Sequence, residues 1–220
     1  MKRMLLGLLM MVVTCGGAMA ADDGVWSPFQ VGFFPNFPDA TVHTPVYGIK
    51  SGWPMCGGVS SVYGVEVSWI YSGTAIIRGV QASWIYNNNV DCNGVQASWI
   101  INYNRDMFYG IQASALVNIM GSGTGFQGGG FNYSDNFKGV QAGLLGNFNA
   151  GNFRGFQTGM YNVSDSMNGF QLSGVNVAKE LNGFQFGFVN VAEKRGFQMG
   201  LVNIINGGCI PFMPLMNFSF

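Results

Sequence analysis

Residues 182–208 read NGFQFGFVNVAEKRGFQMGLVNIINGG, in which one phrase stands twice: Gly-Phe-Gln, any residue, Gly, two apolar residues, Asn. The glutamine and the asparagine return as faithfully as the hydrophobic residues. Working outward, the Gly-apolar-Gln unit recurs at Gly169, Gly155, Gly139, Gly125, Gly110, Gly94 and Gly79, with degenerate copies at Gly64-Val65-Glu66 and Gly48-Ile49-Lys50. The intervals between these glycines run from 13 to 16 residues, so the motif holds while the length varies. A repeat of this kind is the fold, and everything else is read against it.

Within a copy the residues alternate. Val80, Ala82, Trp84 and Tyr86 fall on one side, and Gln81, Ser83, Ile85 and Asn87 on the other. The next copy sets Val95, Ala97, Trp99 and Ile101 against Gln96, Ser98, Ile100 and Asn102. A period of two predicts a strand with one greasy and one polar face. The polar face carries a ladder of candidate site residues: Lys50, Glu66, Gln81, Gln96, Gln112, Gln127, Gln141, Gln157, Gln171, Gln185 and Gln198. Between the strands lie short polar pieces such as NNNVDCN, YSDNFK, VSDSMN, AKELN and AEKR, which hold most of the charges and read as turns.

Two all-β architectures fit such a list. In a β-solenoid each repeat is one coil, and identical residues stack into ladders of Phe, Gln and Asn. In an antiparallel meander each repeat is one strand and one turn, and the chain closes into a barrel. A coil of about this size needs two inward apolar stripes. Beyond the asparagine the second half of a unit offers little, only Val191 before AEKR and Tyr133 before SDNFK. One apolar stripe per repeat therefore favours a meander of about twelve strands closing into an outer-membrane-type barrel, apolar face to lipid and amides lining the lumen. In that setting Glu66 and Lys50 pair across the lumen. The solenoid is the alternative.

Composition bounds the function. Only 9% of residues are charged, while Gly numbers 34 and aromatics make up 15%. A soluble enzyme surface normally carries about a quarter charged residues, so part of this surface is uncharged amide or does not face water. Lys2 and Arg3, an apolar core over residues 4–13 and Ala18-Met19-Ala20 read as a secretory signal, residues 1–20, ahead of a single repeat-built β domain, residues 21–220. A lipobox at VVTC, with a lipidated Cys15, is the weaker reading because Thr14 is poor there. Loss of Lys2 and Arg3 with the leader leaves a net charge of about −2, too little positive charge for nucleic acid. Cys56, Cys92 and Cys209 show no metal spacing, and their odd number excludes a complete disulfide framework.

The ending CIPFMPLMNFSF places Phe218 and Phe220 on one face with Met216, Phe212 and Ile210, the pattern of a C-terminal assembly signal for outer-membrane barrels. Pro211 and Pro214 each remove a ladder donor from that closing strand. Trp69, Trp84 and Trp99 hold the same place in successive copies, as a belt at a membrane interface or a platform for a sugar ring.

PFQVGFFPNFP at residues 28–38, VYGIKSGWP at 46–54, VYGVEVSW at 62–69, the GVQAS and GFQxG units and PFMPLMNFSF at 211–220 together resemble the leptospiral-type bacterial surface-repeat proteins. The resemblance covers almost the whole exported chain. It implies export to the surface or outer membrane, with no reaction and no ligand attached. The chain departs from that group's usual GLQLGLVN form at GVQASWI, where Ser and Trp replace Gly and Leu.

Catalytic chemistry does not assemble in the sequence. The one histidine, His43, lies in the DATVHTP connection. GSGTGF at residues 121–126 lacks the Lys-Ser/Thr of a phosphate loop and reads as a turn. Three Asn-x-Ser matches, at Asn132, Asn162 and Asn217, use asparagines that belong to the repeat. The sequence therefore predicts a non-enzymatic outer-membrane or surface protein without cofactor or metal, a structural component or small pore, with membrane lipid and the barrel-assembly machinery as partners. The alternative is a secreted or surface-tethered solenoid acting as an adhesion or binding scaffold.

Overall fold

The computed structural model describes residues 26–219; the leader, the Cys15 lipobox and Phe220 of the C-terminal signal lie outside the described residues. The chain divides between Arg105 and Asp106 into two compact units. Both are built from β-structure that winds in coils, about twelve turns in all.

In the first unit β1 (Ser27–Gly32) is followed by the four-residue helix α1 (Ala40–His43), β2 (Val46–Gly52), β3 (Met55–Ser68), β4 (Tyr71–Ser83), β5 (Tyr86–Asn89) and β6 (Asp91–Ser98). β7 (Ile101–Ser114) crosses the division. β1 pairs with β2, β2 with β3 and β3 with β4, all parallel. β4 pairs parallel with β5 and β6, and β5 with the start of β7. The register sets Gly48 on Gly64, Gly79 and Gly94 in succession, and Lys50 on Glu66, Gln81 and Gln96.

In the second unit β8 (Val117–Lys194) is a 78-residue run of laddered backbone that passes through several coils. β9 (Gly196–Ile205) lies parallel to its end, with Gln198 opposite Gln185 and Asn203 opposite Asn190. β10 (Phe212–Ser219) turns back and pairs antiparallel with β9.

The expectation of an antiparallel meander closing into a barrel is overturned, because copies of the repeat lie parallel and in register, each repeat forming a whole coil. The alternation that suggested one continuous strand from Val80 to Tyr86 breaks in its middle. Trp84 and Ile85 both face out, so the chain turns a corner between β4 and β5. Trp69–Ile70 do the same one coil earlier. The premise of one stripe per repeat also fails. A second inward stripe stands two residues before nine of the eleven repeat glycines, all but Gly125 and Gly196: Val46, Val62, Ile77 and Cys92 in the first unit. Phe108, Phe137, Phe153, Met167 and Leu181 continue the pattern in the second, each at most 3% exposed.

The first inward stripe is not apolar at all. It consists of the glutamines and asparagines, which the sequence reading assigned to a lumen and which here fill the coil interior. The glycines are obligatory where the chain enters that interior. Gly155 has φ 138°, and a Cβ there would lie 2.0 Å from the carbonyl oxygen of Gly139 in the preceding coil.

Each unit has its own cap. Residues 33–45 fold over the start of the first: Gln30 Nε2 donates to the carbonyl of Thr44 at 3.2 Å, and Thr41 and Val42 are buried. β10 covers the end of the second, where Asn203 Nδ2 donates to the Met213 carbonyl at 3.2 Å.

Candidate functional site

Each glutamine of the ladder is fully buried, because the residue that precedes it and the residue that follows it point outward from the coil. In the second unit Gln127 donates from Nε2 to Oε1 of Gln112 at 2.9 Å, and the same bond repeats from Gln141 to Gln127 (2.6 Å), Gln157 to Gln141 (2.8 Å), Gln171 to Gln157 (2.7 Å), Gln185 to Gln171 (2.8 Å) and Gln198 to Gln185 (2.8 Å). Every donor points toward the N-terminal side.

A second ladder runs the other way. Asn118 donates to Asn132 at 2.9 Å, Asn132 to Asn147 and Asn147 to Asn162 at 2.8 Å. It continues through Asn176 and Asn190 to Asn203. The second proton of several amides agrees with these directions. Gln185 Nε2 also reaches the Val191 carbonyl, and Asn147 Nδ2 the Thr158 carbonyl at 2.7 Å. Apart from Gln198 Oε1 at the end of its row, which accepts no bond, the ladder amides satisfy one another and the backbone, which is what lets them occupy a dry interior. The asparagine row was absent from the sequence-derived site residues, although it repeats with the same period as the glutamines.

In the first unit Gln96 donates to Gln81 at 3.0 Å and Gln81 to Glu66 Oε2 at 2.8 Å, so the ladder ends on a carboxylate. The amide N–H groups there all face Glu66, an arrangement that favours a negative charge for the same reason a helix N-terminus does. Glu66 Oε1 accepts from Thr74 Oγ1 at 2.6 Å and from Cys56 Sγ at 3.2 Å. Lys50 stands one coil away. Its Nζ donates to Thr74 Oγ1 at 2.9 Å and to the carbonyls of Gly57 and Thr41 at 2.9 and 3.0 Å. The two charges thus meet through the Thr74 hydroxyl. Burial lowers the Lys50 pKa below the ordinary lysine value, against the pull of the Glu66 carboxylate. Burial, reinforced by Glu66, raises the thiol of Cys56, and burial pushes Cys92 up to about 12. Protonated thiols of this kind are inert, and Lys50, Glu66, Cys56 and Thr74 are fully buried.

Outside, the corner that follows the ladder residues is apolar. Trp69, Trp84 and Trp99 stand on the corner that follows each ladder residue, all more than 60% exposed, and Trp53 begins the row. Trp84 and Trp99 stack at 6.2 Å, and Trp53 meets Trp69 edge-on at 5.4 Å. Between Trp69 and Trp84 is a cleft of about 450 Å³ lined by Val67, Ala82, Ser68 and Ser83. The corresponding corner of the second unit carries Leu116, Leu144, Met160, Phe188 and Leu201. Leu172, Phe186, Phe188, Met199, Leu201 and Leu215 line an apolar groove of about 540 Å³ there, floored in part by Gly159, Gly174, Gly187 and Gly200.

The opposite corner, just before each repeat glycine, is polar. It holds the ion pairs Lys179–Asp165 at 2.8 Å and Lys194–Glu180 at 2.9 Å, both exposed. Phe218 is exposed on β10, in a cap strand. With the barrel gone, the reason for expecting the barrel-assembly machinery goes too. Among the described residues no group of His, Cys, Asp or Glu could hold a metal, the three cysteines are free, and no helix is long and apolar enough to cross a membrane. No protein-family model, curated protein or solved structure matches the chain.

Proposed function

We propose that the protein is a non-enzymatic β-solenoid scaffold, exported and secreted or tethered at the bacterial surface, that works by binding through its outer rows. The observation that carries this reading is the inversion of polarity. The ladder amides and the Lys50–Glu66 pair are consumed inside the coils, while the unsatisfied surface is a set of ordered apolar rows on the outside. Large exposed apolar patches on a protein are contact surfaces. The leader read from residues 1–20 and the resemblance to surface-repeat proteins support the location.

The test compares attachment of cells to abiotic and host-cell surfaces with the gene intact, deleted, or carrying Trp69→Ser and Trp84→Ser together. Reduced attachment in the deletion, reproduced by a double variant that is still exported and folded, supports the scaffold. Attachment unchanged by deletion sinks it.

A further inference from the structure

The outer rows differ from one another in a way that selects a partner. In the second unit every charged residue from Asp106 to Arg195 stands at the corner before a repeat glycine, among them Asp135, Lys138, Arg154 and Asp165. None stands on the corner after the glutamine. In the first unit Arg78, Asp91 and Arg105 obey the same rule, Lys50 and Glu66 are buried inside, and Asp39 belongs to the cap. Each unit is therefore amphipathic across the coil, charged along one corner and without a charge along the other.

A protein partner for an uncharged row would have to match it coil by coil, whereas a hydrocarbon phase requires only that no charge and no unpaired backbone group be presented. The second requirement is met at the corner itself. Trp84 N donates to the Trp69 carbonyl at 3.2 Å, Trp99 N to Trp84 at 3.1 Å, Ile101 N to Ile85 at 2.9 Å and, in the second unit, Phe131 N to Leu116 at 2.7 Å. The coil ladder continues through the turn, where most proteins leave backbone groups to water. The residue types follow the same division. The first unit offers tryptophans, whose rings settle at the water boundary of a bilayer, and the second offers Leu, Phe and Met around the glycine-floored groove.

From these observations we infer that the apolar corner of each unit is a lipid-contacting surface, which lies in the acyl boundary of a membrane with that unit's charged corner in water. The inference rests on the scaffold reading and names its partner. It differs from a spanning barrel, because no strand crosses and one row of side chains does the contacting.

The experiment is flotation of the purified full chain with vesicles of neutral phosphatidylcholine, and separately of phosphatidylethanolamine with phosphatidylglycerol, followed by tryptophan quenching with lipids brominated at successive depths. The expected result is co-flotation with both compositions, changing less than about twofold between low and high salt because the contact is apolar, with quenching strongest for shallow bromines. Trp69→Ser with Trp84→Ser, and separately Leu144→Ser with Leu201→Ser, each lower vesicle binding at least about tenfold, two buried apolar side chains accounting for that much. Circular dichroism establishes that the variants fold.

Three outcomes overturn it. The folded chain stays at the bottom of the gradient with both vesicles; binding vanishes at high salt; or sedimentation shows a dimer in which the tryptophans are shielded and vesicles are ignored, making a second copy the occupant. In each of these cases cell attachment that still depends on the tryptophans leaves the scaffold standing while the lipid inference falls.

Discussion

Glu66 and Lys50 occupy positions that are glutamine in nine later copies, and the structure shows what the exchange accomplishes. The glutamine ladder ends with its N–H groups facing outward, and Glu66 receives them while Lys50, through Thr74, balances the carboxylate. Removing one partner of such a buried pair leaves the other uncompensated. Glu66→Gln and Lys50→Gln are each expected to cost about 3 kcal/mol in denaturant unfolding, while the double variant, which extends the amide ladder, regains at least half of the summed loss. Additive losses would mean that the two residues act independently. Cys92 gives a pH dependence. Its folded pKa is raised to about 12, against roughly 8.5 for an unfolded cysteine, so between those values the native thiol keeps a proton that the unfolded chain has lost. Stability from this group is thus full below about pH 8.5 and falls as pH rises, by up to about 1.4 kcal/mol per unit. Melting temperature followed from pH 7 to 10 should drop more steeply in the parent than in Cys92→Ala.

At the level of the element, the coil is held in place by its glycine. Gly155→Ala combines a left-handed backbone with a Cβ 2.0 Å from a carbonyl oxygen of the adjacent coil, so neither the backbone nor the neighbour has a cheap way out. A loss of more than about 4 kcal/mol, or failure to fold, is expected in thermal melts; a loss under about 1 kcal/mol would show that the coils are looser than described. This is also where the sequence was most and least legible. The period-two alternation correctly separates Gln81 and Ser83 from Val80 and Ala82, because a strand imposes it. It does not reveal the corner at Trp84–Ile85, since a corner that keeps its coil-to-coil hydrogen bonds needs no Gly or Pro to mark it. Nor does it show that Met167 and Leu181, sitting among Asp165, Lys179 and Glu180, point inward. Inward and outward residues there are sorted by stacking on the next coil, which a single copy does not display.

At the level of the molecule, the sequence separated the glutamines from their apolar neighbours but set the two faces on a barrel wall, which the coils overturn. The amide face was given to a lumen because one apolar stripe per repeat argued for a barrel with that stripe against lipid. What decides otherwise is register. One coil above another places amide on amide at 2.6–2.9 Å, and a row of partners replaces the water that a lumen would have supplied. The candidate site was legible only as a list of ladder positions. Its asparagine row stands on the next strand of the same coils, and Thr74, which links the Glu66 and Lys50 charges, comes from the adjacent coil. A consequence is that, among the described residues, no barrel closes around a pore. On a detergent gel the purified protein should run alike boiled and unboiled, whereas a closed barrel would shift.

The two ladders also bear on how such a chain can grow. In the second unit the glutamine amides all point one way and the asparagine amides the other, over the same coils. Their dipoles oppose, so unlike an α-helix, whose ends accumulate opposite charge, the side-chain stack develops little polarity along its axis as it lengthens. A duplicated coil adds one bond to each row and leaves the electrical balance of the ends where it was. Gene-level gain or loss of a repeat is then limited by the caps, not by the interior, and coil number becomes a freely adjustable dimension of the protein.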